Sequence, residues 1–268
     1  MYKRSMHMWT LMVACLAFLG CGAQPSLLSR HPGVDATFDH IVIMVDNRRA
    51  AERLAQGGFI EASALAARHQ GRGTASRYYL FLDGYIELQT LTDASAAQLN
   101  VARFKSDYVR RWSPRPWECA FGVAFTRIPR MRDGPKSEYE TYTPAGDTAS
   151  TYLMHPNNDD MSRPLVFVPP AGRLYREWGH IGEASNVEAI TTGAQLQRFL
   201  RHHNGVKRLT QVTFTLPTRP GEPAWIPAVV PGIEVERGRR CMVTLTFDNG
   251  VQGKTIYVPT VSPVRIRY

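Results

Sequence analysis

The sequence predicts an α+β fold built from two βαβββ units, residues 37–128 and 164–268. In residues 38–91, a strand, a short helix and three further strands follow one another without interruption. Two later segments, 186–205 and 243–258, repeat parts of that order as strand-helix-glycine and strand-turn-strand. Such a repetition indicates a duplicated unit of which the second copy has diverged.

The elements of the first unit are predicted from periodicity and turn residues. Asp39 to Val45 has apolar residues on both faces, which is typical of a strand that is covered on both sides. Gly57 and Gly58 end the helix that follows, because glycine readily adopts the left-handed conformation. Asp83-Gly84 predicts a tight turn between the strand Arg77 to Leu82 and a return strand.

The remainder of the chain is less regular. A helix with one apolar stripe is predicted to begin at Asp93, and Trp117 to Ile128 is predicted to be a strand. Residues 129–163 are predicted to be a loop-rich connection that covers part of the first unit's cavity, because they are rich in Pro, Gly and Asp and lack periodicity. Leu165 to Val168 is predicted to be a buried strand between prolines.

The composition allows a sizeable core, since 44% of the 268 residues are hydrophobic. The net charge of +9 is distributed along the chain, and its densest clusters, 110–112 and 237–240, lack interleaved aromatic residues. We therefore expect a basic, solvated surface and no nucleic-acid partner. A weak affinity for anionic envelope polymers or lipid headgroups is the alternative.

The N-terminus has the pattern of an export signal. Two basic residues precede Met8 to Leu19, an apolar run that is short for a membrane span. We predict a signal peptide over residues 1–20 and a tether over residues 21–36. Phe18-Leu19-Gly20-Cys21 resembles the lipobox of bacterial lipoproteins, which implies a lipid anchor on Cys21. Gly22 after that cysteine implies an outer-membrane position facing the periplasm.

Two alternatives to this processing stay open, an uncleaved anchor and ordinary cleavage after Ala23. Besides Cys15 in the signal and Cys21, the chain has Cys119 and Cys241. An export compartment permits a disulfide between these two. Two buried free thiols are the other possibility, because both cysteines lie in predicted strands.

Three spaced motifs of the first unit resemble those of the glyoxalase-like members of the vicinal oxygen chelate superfamily. They are DHIVI at 39–43, HQGRGT at 69–74 and DGYIEL at 83–88. The resemblance implies that two units form a cup-shaped eight-stranded sheet with helices outside, and that the cup receives a small-molecule ligand.

The resemblance also implies a divalent metal, Zn, Ni, Mn or Fe(II), held by His40 and Glu87. The matching positions of the second unit, Asn186 and Gln252 or Gly253, are not strong ligands. Substitute donors are Glu188, His155 and His180. Alternatively, His40 is a hydrogen-bonded histidine of a covered strand that binds no metal.

Further residues of the first unit are candidates for substrate contacts. Glu87 is the predicted catalytic residue, a general base with a pKa raised by burial, and Tyr85 shares its face of the strand. Arg77 is predicted to bind a substrate carboxylate. His69 and Thr74 border the glycine loop at the predicted cavity mouth. A solvated sheet face and an ordinary turn are the alternatives.

Three functions follow from these expectations. One is an envelope metalloenzyme of the lyase, isomerase or dioxygenase type acting on a small oxygenated substrate. Another is a metal-free protein that binds or sequesters a small molecule on the same fold, which the incomplete second ligand pair favours. The last is an interaction scaffold with an exposed apolar patch. The sequence does not indicate an oligomeric state.

Overall fold

The computed structural model describes residues 36–46, 48–69, 71–104, 106–127, 139–145, 147, 149–173, 175, 193–217 and 230–268. The predicted signal peptide, lipobox and most of the tether lie outside these residues, as does the predicted strand at 186–192. Within the described ranges, no helix is both long and apolar enough to cross a membrane.

The larger of two sheets is a curled, mixed sheet of eight strands. The strands are β1 (Phe38–Val45), β2 (Ala67–His69), β3 (Thr74–Phe81), β4 (Gly84–Leu91), β5 (Phe121–Phe125), β6 (Glu140–Tyr142), β7 (Tyr152–Met154) and β8 (Leu165–Val168). Their order is β2-β3-β4-β1-β5-β8-β7-β6, and β1 and β5 pair antiparallel at its centre. The predicted α+β class and cup-shaped sheet are therefore confirmed.

The two halves of this sheet have the same internal arrangement. β1 is parallel to β4 in the first half, and β5 is parallel to β8 in the second. The prediction of the second unit at 164–268 was therefore wrong, because the second half of the cup is formed by strands between residues 121 and 168. Residues 129–163, predicted as a connection, contribute β6 and β7. Each has only three residues, too few for alternation to identify a strand.

The C-terminal part of the chain forms a separate five-stranded sheet. Its strands are β9 (Leu209–Leu216), β10 (Ile233–Arg237), β11 (Met242–Phe247), β12 (Thr255–Val258) and β13 (Val264–Arg267), in the order β10-β9-β11-β13-β12. The predicted hairpin over 243–258 was wrong, because β13 lies between β11 and β12. The Asp248 carboxylate accepts the N–H groups of Lys207 and Arg208, so the turn after β11 is attached to the start of β9.

The convex face of the large sheet packs against the small sheet in one continuous core. Ile43 and Phe121 from the large sheet belong to the same buried cluster as Phe214 and Leu245 from the small one. Helix α1 (Arg49–Gln56) adds Ala50, Ala51 and Leu54 to this core. Since the convex face is used for packing, the concave face is left to form a binding site.

Two further α-helices and one 3-10 helix pack on the concave side. Helix α2 (Ala94–Phe104) and the 3-10 helix Tyr108–Trp112 cluster with Val42 and Met44 at one end of the cup. Helix α3 (Gly193–Phe199) clusters with Tyr78, Leu80 and Tyr85 at the other end. These two clusters restrict the open part of the cup to its middle.

Arg111 belongs to a basic cluster that was predicted to be solvated, yet its side chain is fully buried. Its guanidinium group donates hydrogen bonds to the backbone carbonyls of Cys119, Asn158 and Arg163. Burial lowers the pKa of Arg111 to about 9. This side chain attaches the segment before β8 to the start of β5, because its Nη1 and Nη2 atoms donate to backbone carbonyls of both.

A disulfide joins Cys119 and Cys241, with a Cα–Cα distance of 5.3 Å. Cys119 precedes β5 of the large sheet, and Cys241 precedes β11 of the small one. The bond therefore connects the two sheets covalently across a sequence separation of 122 residues.

Reduction of this disulfide is expected to lower the free energy of unfolding by about 2–4 kcal/mol, because the unfolded chain regains the freedom of a long loop. Urea denaturation with and without dithiothreitol measures the difference. The double variant Cys119→Ala, Cys241→Ala is the control and should respond equally in both buffers. Equal stability of the oxidised and reduced wild-type protein would contradict this role.

Candidate functional site

Alternation along the central strands brings a set of polar side chains to the concave face. On β1 this face carries His40, and on β4 it carries Tyr85, Glu87 and Gln89. Glu87 is opposite Val42 on one side and Tyr78 on the other. Because β1 is parallel to β4, His40 and Glu87 lie two positions apart on adjacent strands and their side chains meet over the sheet.

These side chains form one buried hydrogen-bonded network. The Nδ1 atom of His40 donates to Oδ1 of Asp39 at 2.6 Å, which leaves Nε2 facing Oε2 of Glu87 at 3.7 Å. Ser76 Oγ donates to Oε1 of Glu87 at 2.5 Å. His69 Nε2 in turn donates to Ser76 Oγ at 2.8 Å and lies 3.6 Å from Oε1 of Glu87. Glu87 is thus placed between two imidazole rings.

The pKa of Glu87 reflects this environment. Burial by itself would raise it, but the neighbouring imidazoles of His69 and His40 and the hydrogen bond from the Ser76 hydroxyl together lower the pKa to about 2. The expectation of a raised pKa was therefore wrong. A carboxylate with so low a proton affinity is a weak general base near neutral pH, because proton transfer works best when the pKa lies near the working pH.

The ring of Tyr85, a residue predicted to contact substrate, stacks on His40. The ring centroids are 4.2 Å apart at an interplanar angle of 16°. Phe167 of β8 meets the same imidazole with its edge at 5.5 Å. His40 is thus enclosed by two aromatic rings, which fixes its orientation toward Glu87.

An open cavity of about 540 Å³, solvent at its mouth included, lies in the middle of the cup. It is lined by Val42, Met44, Arg72, Thr74, Gln89, Tyr108, Gly122, Tyr142, Tyr152, Met154, Leu165 and Phe167. Most of these side chains are apolar or aromatic, and Arg72 is the charged group among them. Gln89 links the cavity to the polar network, because its Nε2 atom donates to Oε1 of Glu87 at 3.2 Å.

Comparison with known proteins assigns this architecture to a family. The sequence profile of a family described as glyoxalase-like domain matches residues 38–228. The chain belongs to the glyoxalase-like domain family. No curated protein matches it.

The fold of this glyoxalase-like protein also occurs in a solved structure, a hypothetical protein from Staphylococcus aureus. The TM-score is 0.51 at 12% sequence identity, and the match covers 87% of this chain and 99% of the other. At that identity the similarity concerns the fold alone.

The superfamily implies a metal ion shared by both halves of the cup, and the residues present do not fit one. The strands of the second half carry Gly122 and Ala124 on β5 and Leu165 and Phe167 on β8 at the positions that face the cup. None of these side chains is a metal donor. Across the described ranges, no group of three or more His, Cys, Asp and Glu side chains is placed to hold a metal ion.

The substitute donors predicted from the sequence do not complete the set. His155 is buried, and its Nδ1 atom accepts the N–H of Asn157. Gln252 is attached to the carbonyl of Asn204 beside the small sheet. Asn186, Glu188 and His180 lie outside the described residues.

The remaining predicted site residues have different positions. Thr74 lines the cavity, and His69 belongs to the polar network. Arg77 was predicted to bind a carboxylate, but it lies on the opposite face of β3 from Ser76 and pairs with Glu61 at 2.8 Å. Since side chains alternate along a strand, Arg77 cannot enter the cup.

The cavity arginine that sequence reasoning missed is Arg72, five residues earlier. It lies inside the HQGRGT motif, which the sequence analysis treated as a glycine turn. The signal that identifies it is the arrangement of one arginine between Gly71 and Gly73, both of which have positive φ angles.

The depressed pKa of Glu87 predicts a pH dependence of stability. A carboxyl whose pKa falls from 4.5 to about 2 on folding stabilises the protein above pH 4.5, and this stabilisation is lost as the pH falls through 2. Glu87→Gln should lower the free energy of unfolding by on the order of 3 kcal/mol at neutral pH. It should also make this free energy depend less on pH between these two pKa values. Urea denaturation between pH 2 and 7 measures both effects.

The matched control is Glu61→Gln, which removes a carboxylate from a partly exposed ion pair with Arg77. Such pairs contribute roughly 0–1 kcal/mol, so this variant should keep the wild-type pH profile. If the free energy of unfolding depended on pH in the same way for the wild-type protein and Glu87→Gln, the role assigned to the network would be contradicted.

Proposed function

We propose that this glyoxalase-like protein binds a small organic molecule in its cup without a resident metal ion. The observation that carries the proposal is the composition of the second half, where Gly122, Ala124, Leu165 and Phe167 occupy the floor. A metal held by His40 and Glu87 alone would lose most of the chelate effect, because solvent would have to complete its coordination.

The cavity has the character of a ligand site. Small-molecule pockets are concave and mainly apolar or aromatic, with a few polar groups that fix orientation. Here Phe167 and Tyr152 supply aromatic surface, while Arg72, Thr74 and Gln89 supply polar contacts. The Oε1 atom of Glu87 already accepts hydrogen bonds from Ser76 and Gln89, so the network supports the cavity wall.

A metal-dependent lyase, isomerase or dioxygenase acting on a small oxygenated substrate is the second candidate. It is favoured by the hydrogen bond from Nδ1 of His40 to Asp39, because metal-binding histidines commonly donate their other ring N–H to a carboxylate. In that case Zn, Ni, Mn or Fe would bind near Nε2 of His40 and the Glu87 carboxylate.

Metal analysis separates the two candidates. After growth with Zn, Ni, Mn and Fe supplied, the purified protein should hold well below about 0.2 equivalents of any of them, since two donors bind such ions weakly. Inductively coupled plasma mass spectrometry measures the content. His203→Ala, which removes an exposed histidine, is the control for His40→Ala. About one equivalent of metal that only His40→Ala removes would establish the metalloenzyme instead.

We further propose that the protein is a lipoprotein of the bacterial envelope, anchored through Cys21 and facing the periplasm from the outer membrane. Two observations support export: the apolar run and lipobox-like residues before Cys21, and the disulfide between Cys119 and Cys241. Disulfides persist in oxidising compartments and are rare in the bacterial cytosol.

Substitution of the lipidation site tests this location. Cys21→Ser should abolish the incorporation of radiolabelled palmitate. The variant should also either leave the membrane fraction or retain its signal peptide, because stable anchoring requires acyl chains. Cys15→Ser is the control, since that cysteine lies within the predicted signal. Labelling that persists in Cys21→Ser would contradict the proposal.

A further inference from the structure

We propose that the cup binds an uncharged, planar ring compound whose N–H or O–H group donates a hydrogen bond to the side-chain carbonyl oxygen of Gln89. This inference rests on the proposed binding function and adds the chemical class of the ligand. Three features of the described residues support it: the fixed orientation of the Gln89 amide, the protein partners already bound to the charged groups at the cavity, and the apolar floor around Gly122.

The side-chain amide of Gln89 is held in one orientation by Glu87. Its Nε2 atom donates to Oε1 of Glu87 at 3.2 Å, and Ser76 Oγ donates to the same oxygen at 2.5 Å. Glu87 is ionised at neutral pH, because its pKa is about 2. A carboxylate only accepts hydrogen bonds, so the NH₂ end of the amide has to face it. The carbonyl oxygen of Gln89 is therefore the end that is left for another partner.

This carbonyl oxygen is available at the cavity. Gln89 is half-buried and lines the open space in the middle of the cup. The hydrogen bond from Nε1 of Trp112 goes to its backbone carbonyl, at 3.0 Å. Within the part of the chain that the structure describes, no residue donates to its side-chain oxygen. An acceptor partly shielded from water gains most from a donor that enters with the ligand.

The charged groups at the cavity already have partners in the protein. Arg72 Nη2 donates to Oδ2 of Asp147 at 2.8 Å, and its guanidinium carbon lies 4.9 Å from the centroid of the Tyr152 ring. The Glu87 carboxylate is bound by its own network. A charged ligand would have to compete with these contacts and give up its hydration in a mainly apolar cavity. An uncharged ligand leaves them intact.

The floor of the cavity favours a planar ring. Val42, Gly122 and Leu165 form a row across β1, β5 and β8. Because Gly122 has no side chain, a recess remains there, and a Cβ atom in it would lie 3.4 Å from both Phe167 and Val42. The rings of Phe167 and Tyr152, with centroids 6.1 Å apart, border the same space. A planar ring contacts these groups at low entropic cost, since it has no rotatable bonds to immobilise.

The test compares indole with benzofuran, which has nearly the same shape but carries a ring oxygen in place of the N–H donor. Isothermal titration calorimetry on the purified full chain in detergent measures both affinities, and a titration into detergent alone is subtracted. The wild-type protein should bind indole roughly 5- to 30-fold more tightly, because benzofuran leaves the Gln89 carbonyl without a donor.

Substitution of Gln89 identifies the acceptor. Gln89→Met keeps the length of the side chain and removes its carbonyl, so it should weaken indole to about the affinity of benzofuran. Benzofuran itself should change less than about threefold. Gln252→Met is the matched control, because Gln252 is attached to the Asn204 carbonyl beside the small sheet and should leave both affinities unchanged.

Glu87 is a positioning residue in this proposal, and Glu87→Gln tests that role. The new amide can either donate or accept, so the Gln89 amide is free to turn, and the preference for indole should fall at least about threefold. In the Gln89→Met background, Glu87→Gln should have no further effect on this preference. A general disturbance of the fold would weaken both probes equally. The wild-type comparison needs no variant and remains decisive if Glu87→Gln does not fold, as judged by circular dichroism.

Two controls address the charge of the ligand and the place where it binds. Benzamide, which is uncharged and has N–H donors, should bind more tightly than benzoate of nearly the same shape. Gly122→Leu places a side chain in the recess beside Phe167 and should weaken indole and benzofuran at least about tenfold, because it fills the space they occupy.

Each contrary result has its own meaning. Equal affinity of the wild-type protein for indole and benzofuran, or an equal loss of both in Gln89→Met, would overturn the hydrogen bond to Gln89. Tighter binding of benzoate than of benzamide would overturn the uncharged class. Binding that Gly122→Leu leaves unchanged would place the probes outside the cup and overturn the inference as well. Failure of all four probes to bind would contradict the proposed function itself.

Discussion

The burial of both faces of β1 is the constraint on which the structure depends. All eight residues of this strand are buried. One face places Ile41, Ile43 and Val45 in the core between the two sheets, whereas the other places His40, Val42 and Met44 in the cup. Because β1 also pairs with β4 and β5, it connects the two halves of the large sheet. The imidazole of His40 is therefore fixed by the same strand that holds the fold together.

The two halves of the cup share a topology but differ in chemistry. The first half supplies the network of Asp39, His40 and Glu87, and the second supplies Gly122 and Phe167. A metal bound between symmetric halves needs donors from both. Here the second half carries no metal donor at these positions and contributes only apolar surface to the cup. The described lining of the cavity is therefore mainly apolar or aromatic with Arg72 as its charged group, and one superfold can accommodate different functions on the same scaffold.

The sequence predicted the elements whose pattern is long enough to be unambiguous. β1, β3 and β4 each have eight residues, and their alternation indicated the first half of the cup, including the proximity of His40 and Glu87. β6 and β7 are too short for this, so the second half was assigned to the wrong residues. The choice of Arg77 over Arg72 has another cause. A strand's own pattern does not say which of two mixed faces is concave, since that depends on how the sheets pack.

The close fit of Gly73 against Asp93 has a consequence for redesign of this protein. Any side chain at position 73 would collide with the main chain at the start of α2, so the loop tolerates no change there without moving the arginine it presents. Met154 of β7 also borders the cavity and is free of that restriction. Selectivity for new compounds is therefore best engineered on the β7 wall, with the loop that carries the charge left intact.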